Sequence, residues 1–232
     1  MSQVKLNKVL ILGGTCELAI ETANHLSEYE LFLTYRDETK RKATESIILQ
    51  KVNWIYCDFS DKVELPIVDS VIDFAHSELD GLLASLDDEK ASSYWLSMVA
   101  TRQQMLKQIT RKMIPLRSGR LIFISSTAAA LPNSGQGIYA ASKRAIESLY
   151  QSIGIELGKK NITTVSLRLG YLNSGRGEQF IKNQDNLIKR IPARKWVELS
   201  DVAKTLVFLL SPASAMINAT TITMDGGLTA TK

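Results

Sequence analysis

The sequence predicts an α/β protein with a parallel, doubly wound sheet of about seven strands and helices on both faces. The first observation is that short runs of β-branched and aromatic residues alternate with longer segments of helical periodicity. The second is size and composition, because 232 residues with 45% hydrophobic and 22% charged side chains suit one globular domain. We therefore expect a single domain over residues 1–232, without an internal repeat or interdomain linker.

The element assignments follow from these periodicities. The predicted strands are 9–12, 31–35, 52–56, 71–75, 121–125, 163–169 and 220–224. The predicted helices cover about 15–28, 38–49, 92–114, 139–158 and 200–210, with Ser92 and Ser200-Asp201 as caps. The irregular stretch 170–195 is long for a connection in such a fold, and we assign its residues 174–195 to a substrate lid.

Charge and cysteine content argue against several classes of protein. The net charge is +4; residues 174–195 hold six cations and two anions, and would either attract an anionic molecule or form a solvated loop. The lack of a basic helix with interleaved aromatic residues argues against nucleic-acid binding. No apolar run approaches a membrane span or the core of a signal peptide, so we expect a cytoplasmic protein without a membrane partner. Cys16 and Cys57 are isolated, which predicts neither a disulfide nor a metal site.

Tyr139 and Lys143 carry the strongest chemical signal. They lie four residues apart in a predicted helix and therefore share one face of it. An ammonium beside a phenol stabilises the phenolate and lowers the pKa of the phenol, which suits proton transfer near neutral pH. Ser126 ends a predicted strand thirteen residues earlier, and the Gly- and Pro-containing loop between them can fold its hydroxyl over the phenol. The pair alone would also fit an ordinary helix surface, so the rest of the chain decides.

Two further segments complete a recognisable order. Near its start the chain has a strand, the turn Gly13-Gly14-Thr15 and a helix start, and near its end it has the stretch 222–227, Ile-Thr-Met-Asp-Gly-Gly. With Ser126, Tyr139 and Lys143 between them, these segments resemble the short-chain dehydrogenase/reductase family over residues 9–227. The resemblance implies a single Rossmann-type domain and an oxidoreductase.

The resemblance also implies the catalytic roles. During ketone reduction Ser126 would donate a hydrogen bond to the substrate carbonyl, and Tyr139 would give its proton to the developing alkoxide. Lys143 would tune Tyr139 and hold the nicotinamide ribose. The family's fourth catalytic position, an asparagine that supports a water relay to the lysine, aligns with Met98, whose thioether is only a weak acceptor. Proton resupply is therefore the weak point of the predicted mechanism.

The implied cofactor is a nicotinamide dinucleotide, and its pyrophosphate would lie against backbone N–H groups of the turn at Gly13 and the helix that follows. The family usually has glycines at positions 13, 17 and 19, and only the first is kept here. Glu17 would either suit the positive end of the helix or repel the phosphates. We favour retained cofactor binding.

The end of the second predicted strand favours NADP(H) over NAD(H). Tyr35 stands where an acidic residue would bind the ribose 2′-hydroxyl, and Arg36 follows, as suits a 2′-phosphate. Lys40 and Arg41 would assist, and the competing interpretation of Arg36 is a surface pair with Glu38.

Further cofactor contacts follow from the alignment with the family. Asp58 matches the position that binds the adenine amino group, although it could simply cap a loop. The family's Asn-Asn-Ala-Gly appears here as 73–76, Asp-Phe-Ala-His, so His76 must point away from the cofactor or narrow its site. We expect no acid–base role for His76. A glycine usual near Ala219 is also missing. The residues assigned to cofactor binding are Gly13, Thr15, Cys16, Glu17, Leu18, Arg36, Asp58, Phe59, Ala75, His76, Tyr139, Lys143, Gly170 and Leu172.

Segments 190–196 and 200–203 are similar to 3-oxoacyl-acyl-carrier-protein reductases. In those enzymes, basic residues at the positions of Arg117 and Lys160 dock the acidic carrier protein. We therefore expect an NADPH-dependent ketoreductase of a carrier-bound 3-oxoacyl thioester, in a fatty-acid-like or specialised pathway such as polyketide synthesis. The resemblance implies a homotetramer or homodimer. Alternatives are a reductase of a keto-sugar or other small ketone, and a noncatalytic binding or regulatory subunit.

Overall fold

The structure, a computed structural model, describes residues 8–58, 63–175, 181 and 186–231. Within them, the strands are β1 (Lys8–Leu12), β2 (Glu30–Tyr35), β3 (Val52–Tyr56), β4 (Ser70–Asp73), β5 (Gly119–Ser126), β6 (Ile162–Leu169) and β7 (Thr220–Met224). The α-helices are α1 (Glu17–Asn24), α2 (Glu38–Glu45), α3 (Asp88–Trp95), α4 (Thr101–Leu116), α5 (Gly137–Leu157) and α6 (Leu199–Leu210).

The strands form one parallel sheet in the order β3-β2-β1-β4-β5-β6-β7. In register, Val9 of β1 lies between Leu31 of β2 and Ser70 of β4. The chain winds outward from β1 through β2 to β3 and then returns to β4 on the other side of β1. The predicted α/β fold with a seven-stranded parallel sheet is thus confirmed. In such sheets a crevice opens at the carboxyl ends of the strands where the winding reverses, here between β1 and β4.

Helices cover both faces of the sheet because its central strands are apolar on both sides. Val9 and Ile11 of β1 belong to a core cluster with α1 and α6, whereas Leu10 and Leu12 belong to a second cluster with α4 and α5. Side chains alternate across a strand, so a continuous apolar run such as β1 buries both its faces. This burial fixes β1 and with it the turn that follows at Gly13.

The strands match the predicted segments to within two residues at each end, but the predicted helix caps are wrong. The cap of α3 is Asp87, whose carboxylate accepts the Lys90 N–H at 2.8 Å, so Ser92 lies inside the helix. Helix α6 begins after Glu198, so Ser200 and Asp201 lie in its first turn. The predicted helix 92–114 therefore starts earlier, and a π-helical turn, Leu96–Ala100, joins α3 to α4.

Part of the predicted lid falls outside the described residues, namely 176–180 and 182–185. The later part is anchored to the turn after β7. Leu187 and Ile191 are buried, and the Ala193 N–H donates to the Gly226 carbonyl at 3.0 Å. Among the described helices, none combines the length and apolar character that a membrane span requires. Both cysteines are free thiols, Cys16 exposed and Cys57 buried.

Candidate active site

A cleft of about 820 Å³ opens at the carboxyl ends of the central strands. It brings together residues that are far apart in the sequence. The predicted site residues in its lining are Thr15, Cys16, Glu17, Leu18, His76, Ser126, Tyr139, Lys143, Gly170 and Leu172. One cavity therefore joins the start of α1 to the segment that carries the predicted proton-transfer groups.

Ser126 is the last residue of β5, and it caps the short 3-10 turn Thr127–Ala129. Its hydroxyl oxygen accepts the Ala128 N–H at 3.2 Å. This bond uses an acceptor lone pair and leaves the hydroxyl hydrogen able to donate to a molecule in the cleft.

Tyr139 and Lys143 lie in the first turns of α5 and project into the same cleft. The Lys143 Nζ lies 6.0 Å from the centre of the Tyr139 ring. It also donates to the Ile124 carbonyl of β5 at 2.8 Å, which holds the ammonium against the sheet. An ammonium has three donors, so Lys143 keeps two for other partners.

Lys143 is almost completely buried, with 4% of its surface exposed. Its pKa is lowered to about 7, mainly by burial and also by the nearby Arg102 cation, while Asp73, Glu147 and Cys16 act in the opposite direction. A lysine with such a pKa exchanges its proton readily near neutral pH.

His76 does not point away from the cleft. Its ring stands edge-on to that of Tyr139, with ring centroids 4.7 Å apart, and it lines the cavity. The backbone of His76 does not adopt the left-handed conformation that would require glycine. Of the two outcomes predicted for this substitution, His76 therefore narrows the site.

Met98 lies in the π-helical turn with 3% of its surface exposed. Its sulfur accepts the Ser77 N–H at 3.3 Å. The neighbouring hydroxyls bond to their own helix, since Ser97 donates to the Tyr94 carbonyl and Thr101 to the Leu96 carbonyl, both at 3.1 Å. The position that the family gives to a polar relay residue is thus held by a buried thioether in this chain.

An ion pair that the sequence did not predict lies below this turn. The Arg102 Nε is 2.9 Å from the Asp73 Oδ2, and the two side chains are 1% and 0% exposed. Tyr150 donates its hydroxyl to the same carboxylate oxygen at 3.0 Å. The available signal was Asp73 itself, because a carboxylate at the end of a buried strand requires a charged or donating partner.

A second buried carboxylate, Glu147, lies one helical turn after Lys143. It accepts hydrogen bonds from the Ser125 hydroxyl at 2.7 Å and from Arg168 at 2.7 and 2.6 Å. Arg144 adds a contact at 3.2 Å. These bonds fasten α5 to β5 and β6 directly behind Ser126. This network could not be predicted from the sequence because its members come from three separate elements.

The glycine turn differs from the prediction that its own N–H groups face a phosphate. The Gly13 N–H donates to the Thr34 hydroxyl at 2.9 Å, and the Gly14 N–H donates to the Thr34 carbonyl at 2.8 Å. Gly13 has φ +75°, and a Cβ there would lie 2.8 Å from the Ala75 Cα. This glycine therefore serves the close approach of β1 to the end of β4.

Helix α1 begins at this end of the cleft. Its cap residue, Cys16, makes no side-chain capping hydrogen bond, and Cys16, Glu17 and Leu18 line the cavity. An uncapped helix N-terminus binds anions through its N–H groups and dipole. Glu17, hydrogen-bonded to the Ser174 hydroxyl, opposes this with its own charge. With that exception, the donor set and the cleft volume fit a dinucleotide.

Of the residues predicted to meet a 2′-phosphate, Arg36 and Arg41 lie outside the cleft lining, whereas Lys40 belongs to it. Arg36 is exposed and donates to the Ser77 hydroxyl at 3.4 Å. Arg41 is held by Glu38 and Glu45 at 2.7 Å each, so Arg41, and not Arg36, forms the surface pair with Glu38. Of the two assisting cations, Lys40 reaches the cleft lining.

Three other residues were predicted to bind the cofactor, namely Asp58, Phe59 and Ala75. Asp58 is half-buried at the end of β3 and accepts the Tyr56 hydroxyl at 3.4 Å. Phe59 lies outside the described residues. Ala75 is buried, and its N–H donates to Asp73 at 3.1 Å while its carbonyl accepts from Arg102 at 2.5 Å. Its backbone therefore supports the floor of the cleft.

Arg117 and Lys160 lie next to each other, since the Arg117 guanidinium donates to the Lys159 carbonyl at 3.4 Å. They precede β5 and β6, at the amino ends of these strands, while the cleft opens at the carboxyl ends. The eight residues of β5 separate the two places by roughly 25 Å.

Comparison with known proteins places this geometry in a family. The family model described as "Enoyl-(Acyl carrier protein) reductase" matches residues 18–229. The 3-oxoacyl-(acyl-carrier-protein) reductase of Haemophilus influenzae is 27% identical over 191 residues, which are 82% of this chain and 75% of that protein. The 2-dehydro-3-deoxy-D-gluconate 5-dehydrogenase of Formosa agariphila is 32% identical over 132 residues, 54% of this chain and about half (49%) of that protein.

A solved structure of actinorhodin polyketide ketoreductase with NADPH has the same fold, with a TM-score of 0.87 at 20% identity, covering 98% of this chain and 99% of that one. The chain therefore belongs to the short-chain dehydrogenase/reductase family, whose members bind nicotinamide dinucleotides, and is an oxidoreductase.

Proposed function

We propose that this protein is an NADPH-dependent ketoreductase that reduces the ketone of a 3-oxoacyl thioester carried by an acyl carrier protein. The observation that carries the proposal is the convergence of Ser126, Tyr139 and Lys143 on one cleft. The named activities of the Haemophilus relative and of the polyketide ketoreductase favour an acyl ketone as the substrate class.

A nicotinamide cofactor held in the cleft would supply the hydride to the ketone carbon. Ser126 donates its hydroxyl hydrogen to the substrate carbonyl oxygen and thereby orients the ketone against Tyr139. Tyr139 gives its phenolic proton to the oxygen as negative charge develops there. General acid catalysis of this kind contributes about 10² to 10⁴ in rate.

Lys143 restores the proton that Tyr139 gives up. Its ammonium lies near the phenol ring, and burial together with Arg102 brings its pKa to about 7, so it can release a proton at neutral pH. Its remaining donors hold the ribose hydroxyls of the cofactor. His76, packed edge-on against Tyr139, keeps the phenol in place and limits the width of the substrate end.

The preference for NADPH rests on Arg36 and Lys40. Arg36 follows β2 at the position that meets a ribose 2′-phosphate in this fold, and Lys40 lines the cleft nearby. The first-turn N–H groups of α1 would hold the pyrophosphate.

Docking of the carrier protein at Arg117 and Lys160 requires more than one subunit. These residues lie at the strand ends opposite the cleft, so a carrier bound there would serve the cleft of a neighbouring copy in a homodimer or homotetramer. Cross-linking the purified protein and measuring its mass in solution tests this; a strict monomer with full activity on carrier-bound substrate contradicts it.

The activity is tested by measuring the rate of NADPH oxidation with acetoacetyl-coenzyme A as the 3-oxoacyl thioester substrate. Tyr139→Phe should reduce kcat by a factor of at least about 100, because it removes the proton-donating hydroxyl and keeps the ring. Tyr29→Phe is the matched control, since Tyr29 packs against the other face of the sheet, and it should retain the wild-type rate. Equal rates from wild type and Tyr139→Phe would refute the assigned role.

The second candidate, reduction of a keto-sugar acid, is favoured by the identity to the Formosa sugar-acid dehydrogenase. Activity with 2-dehydro-3-deoxy-D-gluconate-type substrates and none with thioesters would select it. A crotonyl thioester tests enoyl reduction in the same assay. Binding of NADPH without turnover of any of these would favour a noncatalytic role, which the convergence of Ser126, Tyr139 and Lys143 argues against.

A further inference from the structure

The buried ion pair of Asp73 and Arg102 is surrounded by further hydrogen bonds on both sides. Besides Arg102, the Asp73 carboxylate accepts the Tyr150 hydroxyl at 3.0 Å and the Ala75 N–H at 3.1 Å. Arg102 in turn donates to the carbonyls of Ala75 at 2.5 Å and Met98 at 3.5 Å. A buried ion pair is seldom more stabilising than well-packed apolar side chains of the same volume. Stability alone therefore does not account for the pair.

Lys143 and Arg102 both lie against the same aromatic ring, that of Phe123. The Lys143 Nζ is 4.8 Å and the Arg102 Cζ is 5.8 Å from the centroid of Phe123. Tyr150 stacks on the same ring, with centroids 5.3 Å apart and planes inclined by 29°. Phe123 is 0% exposed, so the two cations interact through protein and are weakly screened by solvent.

Charged and titratable groups face Lys143 from four directions. Cys16 approaches from the turn before α1, Asp73 from β4 and Arg102 from α4, while Glu147 lies on α5 itself. The Glu147 carboxylate already forms ion pairs with Arg168 and Arg144. Tyr139, also on α5, completes the set.

Among these groups, Arg102 and Asp73 act on Lys143 with opposite sign. The Arg102 cation lowers the pKa of Lys143, Asp73 raises it, and the effect of Arg102 is the larger. Because Arg102 is also fixed by three hydrogen-bonding groups, its distance from Lys143 is set by the fold.

We propose that Arg102 and Asp73 are positioning residues of the reductase, and that their ion pair, held against the Phe123 ring that Lys143 also contacts, sets the protonation state of this lysine. The inference rests on the proposed function only for its kinetic readout; the protonation of Lys143 is measured without substrate or cofactor.

The test compares two single substitutions that break the same ion pair. In protein labelled with [¹³Cε]lysine, the NMR titration of Lys143 stands apart from surface lysines, which titrate near about pH 10.4, and its signal is assigned by its loss in Lys143→Met. Arg102→Gln should raise the midpoint and Asp73→Asn should lower it, each by about 0.5 to 1 pH unit. A purely structural pair would leave the midpoint unchanged or move it in the same direction in both variants.

Arg120→Gln is the matched control. Arg120 is a similarly buried arginine, 4% exposed, but it donates to the carbonyls of Leu209, Ser214 and Ile217 away from the cleft. It should lower the melting temperature and leave the Lys143 midpoint where it is. A shift as large as that of Arg102→Gln would overturn the proposal.

The double variant Asp73→Asn with Arg102→Gln keeps the test decisive when either single variant fails to fold, because a neutral amide pair leaves no buried charge. Its Lys143 midpoint should lie between wild type and Arg102→Gln, since the larger effect of Arg102 is removed together with the smaller effect of Asp73. A midpoint outside that interval, below wild type or above Arg102→Gln, would overturn the proposal. In active protein, the pH above which ketone reduction declines should move with the NMR midpoint. If the NMR midpoint moves as expected but the pH dependence of ketone reduction does not follow it, the proposed function is contradicted. The effect of the ion pair on the protonation of Lys143 then still stands.

Discussion

Replacing Lys143 by methionine should make the protein more stable at neutral pH. Folding takes this lysine from an ordinary pKa of 10.5 to about 7, a fall equivalent to about 5 kcal/mol at about 1.4 kcal/mol per unit. The unfolded chain therefore binds more protons than the folded protein between pH 7 and 10.5, and wild-type stability rises with pH across that window. Methionine has a similar volume and no charge to desolvate, so it lacks this dependence.

The expected size of the effect follows from two opposing contributions. At pH 7 the variant escapes most of the desolvation penalty, about 4 kcal/mol, but it loses the Lys143 hydrogen bond to the Ile124 carbonyl, which costs about 1.5 to 3 kcal/mol. The net gain at pH 7 is about 1 to 3 kcal/mol. At pH 10.5 only the loss remains, and the variant should be less stable than wild type.

Urea denaturation followed by tryptophan fluorescence from pH 6 to 10.5 measures this difference. Lys40→Met serves as the control, because Lys40 is exposed and should leave the pH dependence unchanged. Parallel stability curves for wild type and Lys143→Met would refute the reasoning, since they would mean that Lys143 keeps its ordinary pKa in the fold.

Three further outcomes are expected. Arg36→Leu should weaken NADPH binding by about 10- to 100-fold and leave NADH binding unchanged, as measured by cofactor fluorescence; Arg41→Leu, whose guanidinium is held within α2, should change neither. Glu17→Gln should tighten NADPH binding by about 5- to 10-fold by removing a negative charge next to the pyrophosphate position, while slightly destabilising α1; unchanged affinity would place the phosphates elsewhere. Ala219→Gly should raise the free energy of unfolding by about 0.5 to 1 kcal/mol, because Ala219 has φ +52°. Ala215→Gly, at φ −56°, should lower it.

The strands were predictable because strands buried on both faces read as short apolar runs. The run at β1 predicted a strand, which is confirmed, whereas its place between β2 and β4 was known only from the structure. The helix caps were not predictable in the same way. Asp87 and Ser92 are both good capping residues, and the choice between them depends on where the chain arrives from β4.

Part of the candidate site could also be read from local spacing. Tyr139 and Lys143 share a helix face by periodicity alone, and the loop before them returns the chain from Ser126. The engagement of the Gly13 and Gly14 N–H groups by Thr34 could not be read in this way, because it depends on how closely β1 and β2 approach at their ends.

The sequence by itself determined the parallel α/β architecture and the identity of the three polar groups in the cleft. Both follow from patterns that operate within one element: apolar runs for strands and a four-residue interval for a helix face. Only the tertiary structure decided what surrounds Lys143, because Asp73 and Arg102 come from different elements and meet only when α4 packs on β4. The chemistry was thus visible in the chain, whereas the protonation state of its central lysine is a property of the fold.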